Sequence, residues 1–498
     1  MSIRFLACVL LGLAGASRAR ALLALGALAL VLSTSPPAVA AEGFKPAQFP
    51  GLKAAKASPA RTLRHPGTLA GRGLADRDRP NKRVDKPRRP PRPPLLTIPL
   101  PPPGNGNDPR ALPHRAERAP APLAQSNAVP RQVLIVLDQN QENDIANELA
   151  RRHGLERKQF QRMELLNGRC ELYELRANRS LTRVMTALRR DPRVRLVQAN
   201  FRYRAQAATG DPQAVLPQYA LEKIALPQAH ELARGRDVVV AVIDSAIDQS
   251  HPDLAGAVAQ SFDAVGAPDR SIGFHGTAVA GIIRAQGVVE GVAPQASILA
   301  VRAFRVRNAG EAAETTSWTL LRAIEWAVEN KANVLNLSFV GPKDDALHFA
   351  LRSAAARRVV AVAAAGNNGP KATPAYPAAY PEVIAVTAVD AKDQRYAQAN
   401  RGSYIAFAAP GVDVLAPVEK GKHSYLSGTS FATAYVSGIV ALLLERNRDL
   451  DTGAVVDLIT AGAEDLGPEG RDEDFGVGRV NAFQALKALE RMSADSRR

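Results

Sequence analysis

The chain has 498 residues, 46% of them apolar, and its 64 Lys and Arg against 48 Asp and Glu give a formal net charge of +16. That apolar share excludes a chain disordered throughout, and only two cysteines exclude a fold stapled by a disulfide framework. The length allows more than one domain.

Residues 1–41 hold two apolar runs, 5–14 and 21–32, separated by Ser17-Arg-Ala-Arg20 and followed by Ala38-Val-Ala-Ala41. Basic residues, an apolar run and a small-residue site predict an export signal, hence a secreted or periplasmic product. The run from residue 21 is too short to span a membrane comfortably. Residues 42–130 are rich in Pro, Arg and Ala, most densely at Pro90-Pro-Arg-Pro-Pro94 and Pro101-Pro-Pro103, and show no sustained hydrophobic period. Such a stretch cannot bury enough apolar surface to fold. It carries 17 Lys and Arg against 6 Asp and Glu, so most of the net charge sits here and says little about the rest of the chain. With no stacking-aromatic pattern, a solvated linker is favoured over a nucleic-acid-binding tail. At most a weak contact with anionic surfaces is expected, and no specific nucleic acid.

Order is expected to return over residues 131–206. The pattern predicts a strand at 132–137, a helix at 142–153, a strand pair over 162–176 around Asn167-Gly168, a helix at 181–190 and a last strand at 195–203. This βαββαβ succession is ferredoxin-like in outline. By itself it fits either an independent binding module or a segment that serves the domain after it. Residues 205–212 are mostly small, and a flexible region open to cleavage is expected there.

From 207 to 498, apolar strand runs at 238–243, 297–303, 334–337, 359–364 and 383–389 alternate with helical stretches. They predict an α/β fold, a mostly parallel sheet flanked by helices. The run Asp237-Val-Val-Val-Ala-Val-Ile-Asp244 reads as a buried parallel strand ending in a carboxylate, where open α/β sheets place their sites. Phe274-His275-Gly-Thr-Ala-Val-Ala-Gly281 puts a histidine at the start of a small-residue helix. Gly428-Thr-Ser430 runs into an almost uncharged helix expected over 431–445, which would leave the Ser430 hydroxyl exposed at a helix N-terminus. Each residue alone has an ordinary explanation: a turn or helix cap for Asp244 and Ser430, a surface histidine for His275. Together they are the set nucleophilic catalysis requires. A serine hydroxyl needs a base to take its proton, histidine is the base nearest neutral pH, and a carboxylate fixes the imidazole tautomer. Asp, His, Ser is also the chain order of the subtilisin-type triad.

The chain resembles the subtilisin-like serine proteases, or subtilases. Asp244-Ser-Ala-Ile-Asp248, His275-Gly-Thr-Ala-Val-Ala-Gly281 and Gly428-Thr-Ser430-Phe-Ala-Thr433 are similar to the family's Asp, His and Ser motifs. Ala363-Ala-Ala-Gly-Asn367-Asn-Gly369 resembles the strand and turn that carry its oxyanion asparagine, although Gly-Asn-Asn-Gly is also an ordinary turn sequence. The resemblance implies a serine endopeptidase acting on polypeptides with Asp244, His275, Ser430 and Asn367 as catalytic groups. It also implies that 131–206 is a propeptide, an intramolecular inhibitor removed by self-cleavage. Ser338, Phe339 and Val340 would pair with an extended peptide, while Ala364, Ala365 and Gly366 would wall the pocket for the residue before the scissile bond. Ala375 and Ala378, where relatives often carry glycine, would make that pocket shallower and favour small or medium apolar side chains.

Departures from the family pattern leave the catalytic groups in place. Ala434-Tyr435 stands where relatives usually carry Pro-His, and Phe274 and Tyr435 are expected to add bulk near the site. A non-catalytic descendant, its site obstructed by Phe274 and Tyr435, is the competing reading. The stretch 285–294 lacks the asparagine-rich loop that helps many relatives hold calcium, so Asp253 alone is not expected to bind that ion. No metal and no cofactor is expected, and the chain is expected to act as a monomer.

Overall fold

The computed structural model describes residues 127–140, 143–205, 218–266, 273–305 and 313–495, all within one compact unit. The expected export signal, nearly all of the Pro/Arg-rich segment and the stretch 206–217 lie outside the described residues.

The N-terminal part begins with strand β1 (Ala128–Asp138), helix α1 (Asn143–His153), β2 (Leu155–Met163), β3 (Gly168–Leu175), α2 (Leu181–Arg189) and β4 (Val194–Ala205). Its strands pair antiparallel in the order β4-β1-β3-β2. The βαββαβ expectation therefore holds, with two changes. β1 starts at Ala128, inside the stretch read as linker. β2 starts at Leu155 and not near 162, because only Leu155 and Met163 of this polar edge strand are buried and the hydrophobic alternation never shows. By contrast, residues 133–137 of β1 are buried without interruption, so both faces of this sheet are covered.

The chain continues through α3 (Tyr219–Lys223), α4 (Leu226–His230), β5 (Val239–Asp244), β6 (Val258–Asp263), α5 (Phe274–Arg284), β7 (Ser297–Arg302), β8 (Glu314–Thr316) and α6 (Ser317–Glu329). Next come β9 (Val334–Leu337), β10 (Phe339–Val340), α7 (Asp345–Ala355), β11 (Val360–Ala364), β12 (Val383–Val389) and β13 (Phe407–Pro410). A hairpin, β14 (Val414–Val418) and β15 (Lys422–Leu426), leads into α8 (Thr429–Arg446), α9 (Thr452–Gly462) and α10 (Ala482–Asp495).

Seven strands form a parallel sheet in the order β13-β12-β11-β9-β5-β7-β6. The expected apolar runs supply five of them, the Val- and Ile-rich strands buried on both faces. The two edges, β6 and β13, carry no comparable signal: β6 is largely exposed and β13 has four residues. One core joins the sheet to α5 and α8, and the opposite one, under α6 and α7, continues into the N-terminal sheet. The chain reverses direction across the sheet between β5 and β9, so the carboxyl ends of these two strands face a topological switch point.

The seam between the two parts is polar at defined places. Asn200 accepts from the Trp318 N–H at 3.1 Å and Gln198 from the Ala346 N–H at 3.0 Å, so side chains of β4 cap the first turns of α6 and α7. Glu325 of α6, 1% exposed, accepts in return from the N–H groups of Glu164 at 2.6 Å and Leu165 at 3.1 Å. Burial pushes its carboxyl up to about 7, against the pull of those two N–H groups. A carboxyl raised by burial gives the seam stability that is present below about pH 4.5 and lost as pH climbs through 7, on the order of 3 kcal/mol. Urea melts between pH 5 and 8, run in a Ser430→Ala background to prevent digestion, are expected to show this loss. Glu325→Gln should flatten the slope; an unchanged slope would rule Glu325 out as its source.

Candidate active site

Asp244 ends β5, is 1% exposed, and accepts from the N–H of Ser245 at 2.7 Å. Both its oxygens face Nδ1 of His275, at 2.8 and 2.9 Å. His275 is the second residue of α5, and two glycines let that helix start abut the turn after Asp244. A Cβ on Gly273 would lie 2.2 Å from the Ala246 carbonyl oxygen, and one on Gly276 would lie 2.6 Å from that of Ser245. The Ser245 hydroxyl fastens the two elements by accepting from the Gly276 N–H at 3.0 Å. With Nδ1 given to Asp244, Nε2 of His275 is buried and has no hydrogen-bond partner among the described residues. The ring lies 5.6 Å from that of Phe431, the residue after Ser430.

Ser430 departs from the expectation of an exposed hydroxyl: the residue is 1% exposed. The helix begins at Thr429 instead of Phe431, which brings Ser430 inside its first turn. Nor is the serine a cap. Gly428 takes the N-cap position, and the Ser430 hydroxyl donates to the Ser338 carbonyl at 3.2 Å. Ser430 and His275 are therefore brought to one site without a hydrogen bond between them; bonds of this kind often tighten only in the complex with substrate.

Asn367 follows β11. Its Oδ1 accepts from both the N–H and the hydroxyl of Thr429, at 3.1 and 2.9 Å, which fixes the amide and turns its NH2 group the other way. Thr429 also accepts from the Gly366 N–H at 3.2 Å. Nothing in the local sequence singles Thr429 out beyond its place beside the serine; its role needs the approach of β11 to α8.

The strand expected over 334–337 forms as β9, and Ser338, which is fully buried, separates it from β10. Its hydroxyl donates to the Ser430 carbonyl at 3.1 Å and accepts from Asn336 at 2.9 Å, so this side chain anchors the start of α8. Phe339 and Val340 pair antiparallel with Ala205 and Arg204 of β4. Ala364, Ala365 and Gly366 are buried and rigidly bonded; the Ala365 carbonyl accepts from Tyr404 at 2.9 Å and the Gly366 carbonyl from the Asn400 N–H at 2.9 Å. A cavity of about 740 Å³ is lined by Val340, Gly341, Lys343, Asn368, Ala375 and Tyr376 together with residues of β4, and not by Ala364, Ala365 or Gly366.

Two bulky departures have different fates. Phe274 is 38% exposed beside His275, whereas Tyr435 is 1% exposed and packs in the main core, so it does not obstruct the site. Five residues beyond Ser430, it is rotated about 140° around the helix from the nucleophile. Asp253 is held by N–H groups: Val288 at 3.1 Å, Val289 at 2.9 Å and the His423 ring at 2.8 Å. A calcium ion wants six to eight oxygens, and donors of this kind do not fit one there. Among the described residues no group of three or more His, Cys, Asp and Glu side chains is arranged to hold a metal, and no helix is long and apolar enough to cross a membrane. Cys170 is free and buried.

The model of the subtilase family matches residues 235–478. Subtilisin E of Bacillus subtilis (strain 168) is 37% identical over 279 residues, 54% of this chain and 71% of its own. Thermitase of Thermoactinomyces vulgaris is 35% identical over 288 residues, 56% of this chain and 98% of its own. Among solved structures, fervidolysin from Fervidobacterium pennivorans, a keratinolytic enzyme related to subtilisin, shares the fold with a TM-score of 0.63 at 24% identity. That match covers 74% of this chain and 62% of the fervidolysin chain.

Proposed function

The chain belongs to the subtilase family and is a subtilisin-like serine endopeptidase, and on that premise we propose that Ser430 is its nucleophile, His275 its base, Asp244 the residue that orients the base and Asn367 an oxyanion donor. The observation that carries this reading is the state of His275. Asp244 holds Nδ1 with both oxygens, leaving Nε2 buried and, among the described residues, unpartnered next to the helix turn that bears Ser430. The Ser430 hydroxyl turns from the Ser338 carbonyl toward Nε2, gives up its proton there, and its Oγ bonds to the peptide carbonyl carbon. Charge then develops on the carbonyl oxygen between the Asn367 NH2 and the Ser430 N–H, in the first helical turn where N–H groups have no intrahelical acceptor. His275 passes its proton to the leaving amine as the C–N bond breaks. Water, deprotonated by the same ring, then releases the acyl group and restores the serine.

The chain is made as an exported, self-processing zymogen in this reading: residues 1–41 as signal, 42–127 as linker, 128–206 as inhibitory propeptide and 207–498 as the protease. Supporting it, β4 lies between β8 and β10 as an extended strand, hydrogen-bonded on both edges in the way a bound peptide would be. Ser338, Phe339 and Val340 thus become the substrate ladder, and Ala364, Ala365 and Gly366 a wall of the pocket before the scissile bond. N-terminal sequencing of the secreted protein tests the layout. The mature chain is expected to start between residues 205 and 212 in the wild type and to retain 128–205 in Ser430→Ala made in a protease-deficient host. Equal maturation of both would rule out self-cleavage.

A further inference from the structure

We propose that the pocket filled by Tyr203 is a substrate subsite whose floor, Asp344, selects a phenol, so that the enzyme favours tyrosine as the fourth residue before the bond it cuts. The proposal rests on the reading above that β4 traces the path of a peptide substrate; Tyr203 then stands in for a substrate side chain. The position follows from the register. Phe339 faces Ala205 and Val340 faces Arg204, so the next residue of a peptide in this register faces Ser338, whose carbonyl holds the Ser430 hydroxyl. Counting back from that first residue, Ala205 is second, Arg204 third and Tyr203 fourth. Burial alternates accordingly: the Arg204 side chain is 70% exposed, whereas Tyr203 is 1% exposed.

The pocket is shaped for an aromatic ring. Tyr203 meets Phe339 edge-on with centroids 5.9 Å apart, and a Cβ on Gly341 would lie 2.1 Å from the ring, so glycine is required at the pocket mouth. At the far end the phenol donates to Oδ2 of Asp344 at 2.9 Å. Asp344 is completely buried, and its position is fixed without help from β4. It accepts from Ser317 at 2.5 Å and from the Leu347 N–H at 2.8 Å, and its own N–H donates to Tyr380 at 2.8 Å. Once β4 departs, the carboxylate keeps these partners and loses the phenol and the Gln198 amide, which donates at 2.9 Å. A substrate tyrosine restores the phenol donor. Phenylalanine fills the same space but leaves a buried carboxylate oxygen facing a ring edge, and sites built to bond a hydroxyl discriminate strongly against analogues that lack it.

The test uses the processed enzyme and a series of internally quenched peptides that differ only at the fourth residue before the cut: Tyr, Phe, O-methyltyrosine, Leu and Ala, with the cleavage position mapped by mass spectrometry. Expected is a kcat/KM for Tyr about tenfold or more above Phe, with O-methyltyrosine at or below Phe, and a Tyr/Phe ratio that shrinks toward one in Asp344→Asn. Because Asp344 also caps α7, that variant could fail to fold; the wild-type series decides the matter without it. Equal rates for Tyr and Phe, both above Ala, would leave the pocket in place and overturn selection by Asp344. Rates indifferent to this residue would overturn the path assigned to β4 as well. No cleavage of any peptide would overturn both along with the proposed mechanism.

Discussion

Replacing Ser430 with alanine is expected to lower kcat for peptide hydrolysis about 10⁶-fold, a magnitude carried over from the subtilisin triad, in which loss of the serine or the histidine has that effect. The cause is specific to this geometry. Nδ1 of His275 is committed to Asp244, and Nε2 has no partner among the described residues, so the ring without Ser430 has no proton to take from a nucleophile. What remains is the catalysis that peptide binding and the oxyanion donors supply by themselves, about 10³–10⁴-fold over water. Initial rates measured on Ser430→Ala chain processed in trans by the wild-type enzyme, then freed of it, check the figure. A loss of only tenfold would mean that another nucleophile does the work.

Asn367→Ala is the second large effect, expected to reduce kcat by about 10²–10³-fold with KM nearly unchanged. The amide is pinned at its oxygen by two bonds from Thr429, so its NH2 group is oriented before substrate arrives and needs no reorganisation when charge develops. An interaction made mainly in the transition state appears in kcat. Steady-state kinetics separate the cases: a rise in KM with kcat intact would make Asn367 a ground-state binding residue.

Most of this site was legible from sequence because its parts are local. A Val-rich run ending in Asp244, a small-residue helix opening at His275 and a glycine turn into an uncharged helix at Ser430 each announce a strand end or helix start without knowledge of the others. The parallel sheet was legible for the same reason, since its central strands are buried on both faces and read as unbroken apolar runs. What escaped depends on approach between distant segments. Ser430 is buried because the segment at Ser338, 92 residues earlier, runs beside its helix turn. Thr429 matters only because β11 brings Asn367 to it. Tyr435 packs in the core because of its angle around α8, and the edge strands β2 and β6 hid because solvent on their exposed residues erases the alternation that marks a strand. The pairing of β4 with both β8 and β10, on which the proposed substrate path rests, left no local trace at all.

The central claim is that Ser430 is a nucleophile activated by His275, and covalent capture tests it most directly. The processed protein is treated with a fluorophosphonate and the adduct mapped by tryptic mass spectrometry. One phosphonate per chain on Ser430, absent when His275 is changed to alanine, is the predicted result. An adduct on any other residue, or labelling of Ser430 that persists without His275, would contradict it.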